Sequence, residues 1–86
     1  MLSVSFAPSF VKKYNSCENS LQEEIVEKIE LLKNKFNHKQ LKVHKLNGQL
    51  ADRYSFSVNY KIRIVFRYIR TNEVALIAIG DHDLYK

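Results

Sequence analysis

Leu2, Val4 and Phe6 alternate with Ser3 and Ser5 at the start of the chain, the two-residue period of a short, half-buried strand. Pro8 follows where a first helical turn tolerates it. Phe10, Val11 and Tyr14 then fall at helical spacing and predict a short helix to about Asn15. Residues 15–19 read as a break. Ser20-Leu21-Gln22-Glu23 has the form of a capping box, in which hydroxyl and carboxylate each satisfy an orphan amide. Behind it Leu21, Ile25, Ile29, Leu32 and Phe36 recur every three or four residues and predict one stripe of an amphipathic helix. Glutamates early and lysines late in this segment suit the helix dipole.

From Leu50 onward the period is two. Tyr54, Phe56 and Val58 share one face, with Arg53, Ser55, Ser57 and Asn59 on the other. In the next run Ile62, Ile64, Phe66 and Tyr68 share a face, opposite Arg63, Val65 and Arg67. Residues 74–79 are apolar throughout and read as a central or doubly covered strand. Thr71-Asn72 is the turn before it. A hairpin must keep its apolar faces together, because a slip of one residue inverts every side chain. That parity predicts a loop over residues 59–61 and sets Ser57 opposite Arg63, Ser55 opposite Val65 and Arg53 opposite Arg67. The expected fold is α+β: an antiparallel sheet of about four strands with two N-terminal helices on its apolar face, in a single domain spanning 1–86.

Charge changes this picture more than bulk composition does. The 86 residues are 45% hydrophobic and 27% charged, which excludes wholesale disorder. No apolar run approaches the roughly 20 residues of a membrane span, and the first residues carry no basic segment ahead of a long apolar one. Neither a membrane nor a secretory leader is therefore expected. With one cysteine, Cys17, no disulfide framework is expected, and the cytoplasm is the default compartment. The net charge of +5 is uneven. Residues 33–70 hold ten lysines and arginines against Asp52 alone, while the segments before and after are acidic. Such density is relieved by a polyanion or an acidic partner. A solvated basic face and a phosphate-binding face, where cations displace counterions, are both open at this point.

The arginine-bearing face of the predicted hairpin sharpens the second reading. Arginines directly opposite one another repel, and a bound phosphate relieves that repulsion; splaying to solvent or pairing with Asp81 and Asp83 would also do so. No glycine-rich phosphate loop, catalytic Ser-His-Asp order or paired carboxylates in an apolar setting occur. His38, His44 and His82 lack zinc-ligand spacing, so no metal or cofactor is expected. What remains is a kit of histidines, arginines, lysines and a late tyrosine. RNA carries its own nucleophile, the 2′-hydroxyl. Cleavage then needs alignment, stabilisation of the phosphorane charge and protonation of the departing 5′-oxygen. Histidine suits the proton steps, and arginine's planar fork suits the charge. His44 lies just ahead of the sheet, and His82 lies between Asp81 and Asp83 where the last strand ends. Tyr85 can stack on an unpaired base or close the core edge.

The segments Leu41 to Tyr68 (LKVHKLNGQLADRYSFSVNYKIRIVFRY) and Ala75 to Lys86 (ALIAIGDHDLYK) resemble the RelE/ParE toxins of bacterial type II toxin–antitoxin systems. The likeness covers nearly the whole chain and is greatest to the RelE-type mRNA interferases near StbE and YafQ. It rests on the order and spacing of several pieces: His-Lys-Leu-x-Gly at residues 44–48, the runs 54–58 and 60–66, and the ending 79–85. It implies an endoribonuclease that enters the ribosomal A site, cuts mRNA there without a metal, and is silenced by a cognate antitoxin. The expected partners are thus that antitoxin, mRNA and the 70S ribosome. By the same resemblance Arg63 stabilises the scissile phosphate, His44 or Lys45 assists at the 2′-oxygen, His82 serves acid/base chemistry or phosphate binding, and Tyr85 orients the nucleotide. Lys42, Lys45, Arg53, Lys61 and Arg67 complete the expected RNA-binding set. Histidines at 44 and 82, where many RelE-like chains carry arginine or lysine, point toward the YafQ-like or HigB-like versions. Two alternatives share the fold: a ParE-like inhibitor of DNA gyrase, and an inactive remnant that only binds its antitoxin.

Overall fold

The computed structural model describes residues 1–48 and 51–81. In chain order it comprises β1 (Ser3–Phe6), α1 (Pro8–Asn15), α2 (Asn19–Leu32), a 3₁₀ turn (Lys35–Asn37), β2 (His44–Lys45), β3 (Tyr54–Ser57), β4 (Arg63–Arg70) and β5 (Glu73–Gly80). The strands form one five-stranded sheet in the order β1-β5-β4-β3-β2. The expected α+β class is observed, with two corrections. The sheet has a fifth strand, because His44 and Lys45 pair with Ser55 and Tyr54. It is also mixed: β1 runs parallel to β5, with Val4 beside Val74 and Phe6 beside Leu76. Two alternating serines do not reveal strand direction. The path does: after both helices the chain enters the sheet at the far edge as β2 and meanders back through β3 and β4, which brings β5 alongside β1.

The hairpin register matches expectation. Ser55 lies opposite Val65 and Ser57 opposite Arg63. The Val58 amide donates to the Ile62 carbonyl (2.9 Å), which leaves residues 59–61 as the loop. The ladder stops at Tyr54–Phe66, so the expected Arg53–Arg67 pair is not formed. Between β4 and β5 the register shifts after Val65, where Ile77 is an extra residue. This bulge explains the unbroken apolar run of β5: it resets the alternation so that Val74, Leu76 and Ile79 all enter the core. The Ser9 hydroxyl of α1 donates to the bulge carbonyl of Ile77 (2.8 Å) and satisfies it.

Phe10 of α1 and Ile25, Ile29 and Leu32 of α2 pack with Phe56, Ile64, Phe66 and Leu76 of the sheet in one core. Both helices therefore cover the same face. Two local expectations fail for identifiable reasons. The helix begins at Asn19 rather than behind a Ser20 cap, and Glu18 caps it without a side-chain bond. Gln22 instead donates to the Tyr14 carbonyl (2.8 Å), tying α2 to the end of α1. The helix also ends at Leu32, so Phe36 leaves the stripe and is 93% exposed. Its continuation is blocked where side chains take over the last carbonyls: His38 Nε2 donates to Leu32 O (2.7 Å) and Asn37 Nδ2 to Leu31 O (2.9 Å).

Aromatic contacts knit β3 and β4. The Phe66 ring lies 5.6 Å from Tyr54, 5.8 Å from Phe56 and 5.9 Å from Tyr68. Phe66→Ala should cost about 3–5 kcal/mol, a large part of the roughly 4–13 kcal/mol available to a chain of this length, in urea unfolding. Burial, and secondarily the neighbouring Tyr54, raise the Tyr68 phenol above its ordinary pKa of 10.0. A raised folded pKa adds stability that is fully present below about pH 10 and is lost as pH rises through the higher folded value. Tyr68→Phe should flatten that alkaline decline in pH-dependent unfolding.

Candidate functional site

Alternation that sends Phe56, Ile64 and Phe66 under the helices sends their neighbours out through the other side of the sheet. Register aligns these outward positions in rows. Ser57, Arg63 and Gly80 form one; His44, Ser55, Val65 and Ala78 the next; Arg67, Ala75 and Ser5 the third. None of these rows contains a carboxylate. Ser55 and Val65 are buried although they lie away from the main core, while Arg63 is half-buried and Arg67 exposed. With strands about 4.8 Å apart and a rise of about 3.3 Å per residue, the His44 and Arg63 Cα atoms stand roughly 12 Å apart on this face. Their side chains can approach a phosphodiester from two sides.

Each of the two is oriented by backbone. His44 Nδ1 lies 2.9 Å from the Lys42 carbonyl. A carbonyl only accepts, so Nδ1 carries the proton in this contact. Arg63 Nη1 donates to the Asn59 carbonyl (3.2 Å). Asn59 is in turn a hub. Its Oδ1 accepts from the Lys61 and Ile62 amides (2.9 and 2.8 Å), and its Nδ2 donates to Glu24 of α2 (3.1 Å). The hairpin loop is thereby tied to the helix layer, which fixes the direction from which Arg63 enters the outward face. Neither Asn59 nor Glu24 was singled out from sequence. The signal was present, since asparagine in a hairpin loop bonds its own backbone two residues on.

Lys42 occupies the left-handed region with φ of 58°, a conformation that costs a non-glycine residue about 1–2 kcal/mol. It sits where the chain swings from the 3₁₀ turn into β2. The Ser57 amide donates to Leu41 O (2.8 Å) and the Lys42 amide to Lys39 O (3.1 Å), and these bonds hold the swing against β3. The kink aims the Lys42 carbonyl at His44. It also brings the Lys42 side chain to a recess of about 300 Å³ shared with Lys28, Ser57, Asn59, Tyr60 and Arg63.

The other expected contacts are dispersed. Lys45 lies in the row Tyr54–Phe66–Leu76 and so projects on the helix-bearing side, opposite to His44. Strand alternation cannot put both on one face. Lys61 borders a neighbouring recess beside α2 with Leu21 and Glu24, which shares Asn59 and Tyr60 with the first. Arg53 lies just outside β3, its Nε 3.7 Å from Asp52 and without a hydrogen bond. Arg70 is engaged by Glu73 (2.9 Å). His82 and Tyr85 lie outside the described residues, as does Asp83. His38, by contrast, is a helix-end cap.

No protein-family model and no curated protein matches the chain. Solved structures do. The YoeB–YefM complex from Staphylococcus aureus matches at 20% identity and a TM-score of 0.73 over 95% of this chain and 98% of that one. The RelE–RelB complex from Pyrococcus horikoshii matches at 15% identity and a TM-score of 0.71 over 93% of each chain. A conserved hypothetical protein from Helicobacter pylori matches at 22% identity and a TM-score of 0.69 over 96% and 97%. The chain has the RelE/YoeB/ParE toxin fold. The agreement extends over 93–98% of each chain.

The two histidines among the described residues, His38 and His44, separate by role. His38→Ala should lower stability by about 1–2 kcal/mol in urea unfolding, because it strands a helix-end carbonyl. His44→Ala, at an exposed position, should stay within about 0.5 kcal/mol of the parent.

Proposed function

We propose that this chain is the toxin of a type II toxin–antitoxin system and cuts mRNA on the ribosome. The observation that carries this reading is that Arg63 and His44 share the outward face of a sheet whose other face is sealed by helices, in rows that hold no carboxylate among the described residues. The RelE/YoeB/ParE fold of the similar structures supports it. The chemistry follows from the groups. His44 is the proposed acceptor of the 2′-hydroxyl proton, on the family resemblance, and the 2′-oxygen attacks the adjacent phosphorus. Arg63 donates to the non-bridging oxygens as negative charge grows on them. The 5′-oxygen leaves with a proton, and a 2′,3′-cyclic phosphate remains. His82 is the proposed proton source, and Tyr85 the proposed ring that holds the nucleotide. Both assignments rest on the family resemblance.

No metal enters this scheme, since the nucleophile and the leaving group belong to the RNA and the charge is met by guanidinium. Lys42 and Arg67 are proposed to hold flanking phosphates. A cognate antitoxin is the proposed regulator, supported by the YoeB–YefM and RelE–RelB complexes of the similar proteins. No helix among the described residues is long and apolar enough to cross a membrane, in keeping with a site of action at the ribosome.

Arg63→Ala should lower cleavage of mRNA on programmed ribosomes by about 10²–10³-fold with unchanged thermal unfolding. Arg63→Lys should recover only part of the loss, because a point charge does not replace the fork. Cleavage by Arg63→Ala at the parent rate contradicts the assignment. Growth arrest with intact transcripts and broken DNA would instead select gyrase inhibition.

A further inference from the structure

The recess beside Arg63 is built from three separate parts of the chain. Lys28 comes from α2, Lys42 from the strained kink before β2, and Ser57, Asn59, Tyr60 and Arg63 from the hairpin. Lys28, Lys42 and Arg63 line it, and no acidic residue among the described ones does. Lys28 reaches it across the layer boundary, although its ammonium also lies 3.2 Å from Glu27. Like charges lining one recess repel one another, and the backbone strain at Lys42 adds to the cost. Glycine or asparagine would relieve the strain and remove one charge together. At the mouth stands Tyr60, whose side chain is 94% exposed although it is a large ring. A cationic recess with an aromatic platform at its rim has the composition that holds a single-stranded nucleic acid, charge on the backbone and ring on the base.

We propose that this recess is a second phosphate subsite, which takes the RNA phosphodiester next to the scissile one, with the adjoining base stacked on Tyr60. It rests on the ribonuclease reading above for the identity of the strand. Lys28, Lys42 and Tyr60 are binding residues here, and Arg63 spans both positions: one end of its guanidinium is held by Asn59 and the rest is shared between the recess and the outward face. The site gives a use to the exposed Tyr60 ring, which the cleavage scheme leaves unassigned, and names the phosphate that Lys42 holds. An acidic peptide segment is the competing occupant, but it has no use for the ring.

The test uses the intact protein and a fluorescent single-stranded deoxyribonucleotide hexamer, which lacks the 2′-hydroxyl and cannot be cut. Lys28→Ala and Lys42→Asn should each weaken binding about fivefold and reduce the salt slope by about 0.7. Lys42→Asn should do so with an equal or higher Tm. Tyr60→Ala should weaken binding about tenfold, and Tyr60→Phe should restore it. Lys12→Ala, on α1, is the control and should bind as the parent does. Parent-like binding by Lys28→Ala and Lys42→Asn overturns the proposal. So does tighter binding of a glutamate hexapeptide than of the oligonucleotide. Failure of the ribonuclease reading is distinct: the recess would bind the hexamer as described while mRNA on programmed ribosomes stayed whole.

Discussion

Strand alternation in the β3–β4 hairpin is the constraint on which the rest of the molecule depends. Phe56, Ile64 and Phe66 are wholly buried, and burying them requires the pairing Phe56–Ile64 and Tyr54–Phe66. A slip of one residue would carry Arg63 into the space now filled by Ile64 and leave a charge beneath the helices. The core and the guanidinium are therefore set by the same register. The core is what enforces it, since several fully buried aromatic and branched side chains outweigh any local preference of the outward residues.

The second determinant is how the ends of that hairpin are tethered. Asn59 bonds its own loop and Glu24, and its carbonyl receives Arg63. Lys42 accepts an unfavourable backbone so that its carbonyl meets His44 and its side chain meets the recess. Both arrangements spend folding energy on direction. In a chain this short, with a correspondingly small core, that is affordable only because the aromatic cluster around Phe66 is dense.

Period two across residues 53–68 was legible because the core imposes it; face assignment and hairpin register follow without further information. The unbroken run 74–79 was readable as a covered strand, yet the bulge at Ile77 that makes it so depends on pairing with Val65 and Phe66. Two-residue β2 gives no periodic signal at all, and with it went the sidedness of His44 and Lys45. Phe36 misled because helical spacing persists past the point where His38 and Asn37 take the terminal carbonyls. Lys42 carries no mark in sequence, since lysine is not a residue of left-handed turns. Grouping of Lys28 with Arg63 is purely tertiary.

The central claim is that RNA lies on the arginine-bearing side of the sheet and not on the helix-bearing side. A photo-crosslinking residue placed at position 67, exposed on the outward face, or at position 26, exposed on α2, tests this on ribosomes programmed with a labelled mRNA. Crosslinks to mRNA from position 67 and none from position 26 are predicted. Crosslinks from position 26 alone would contradict the account.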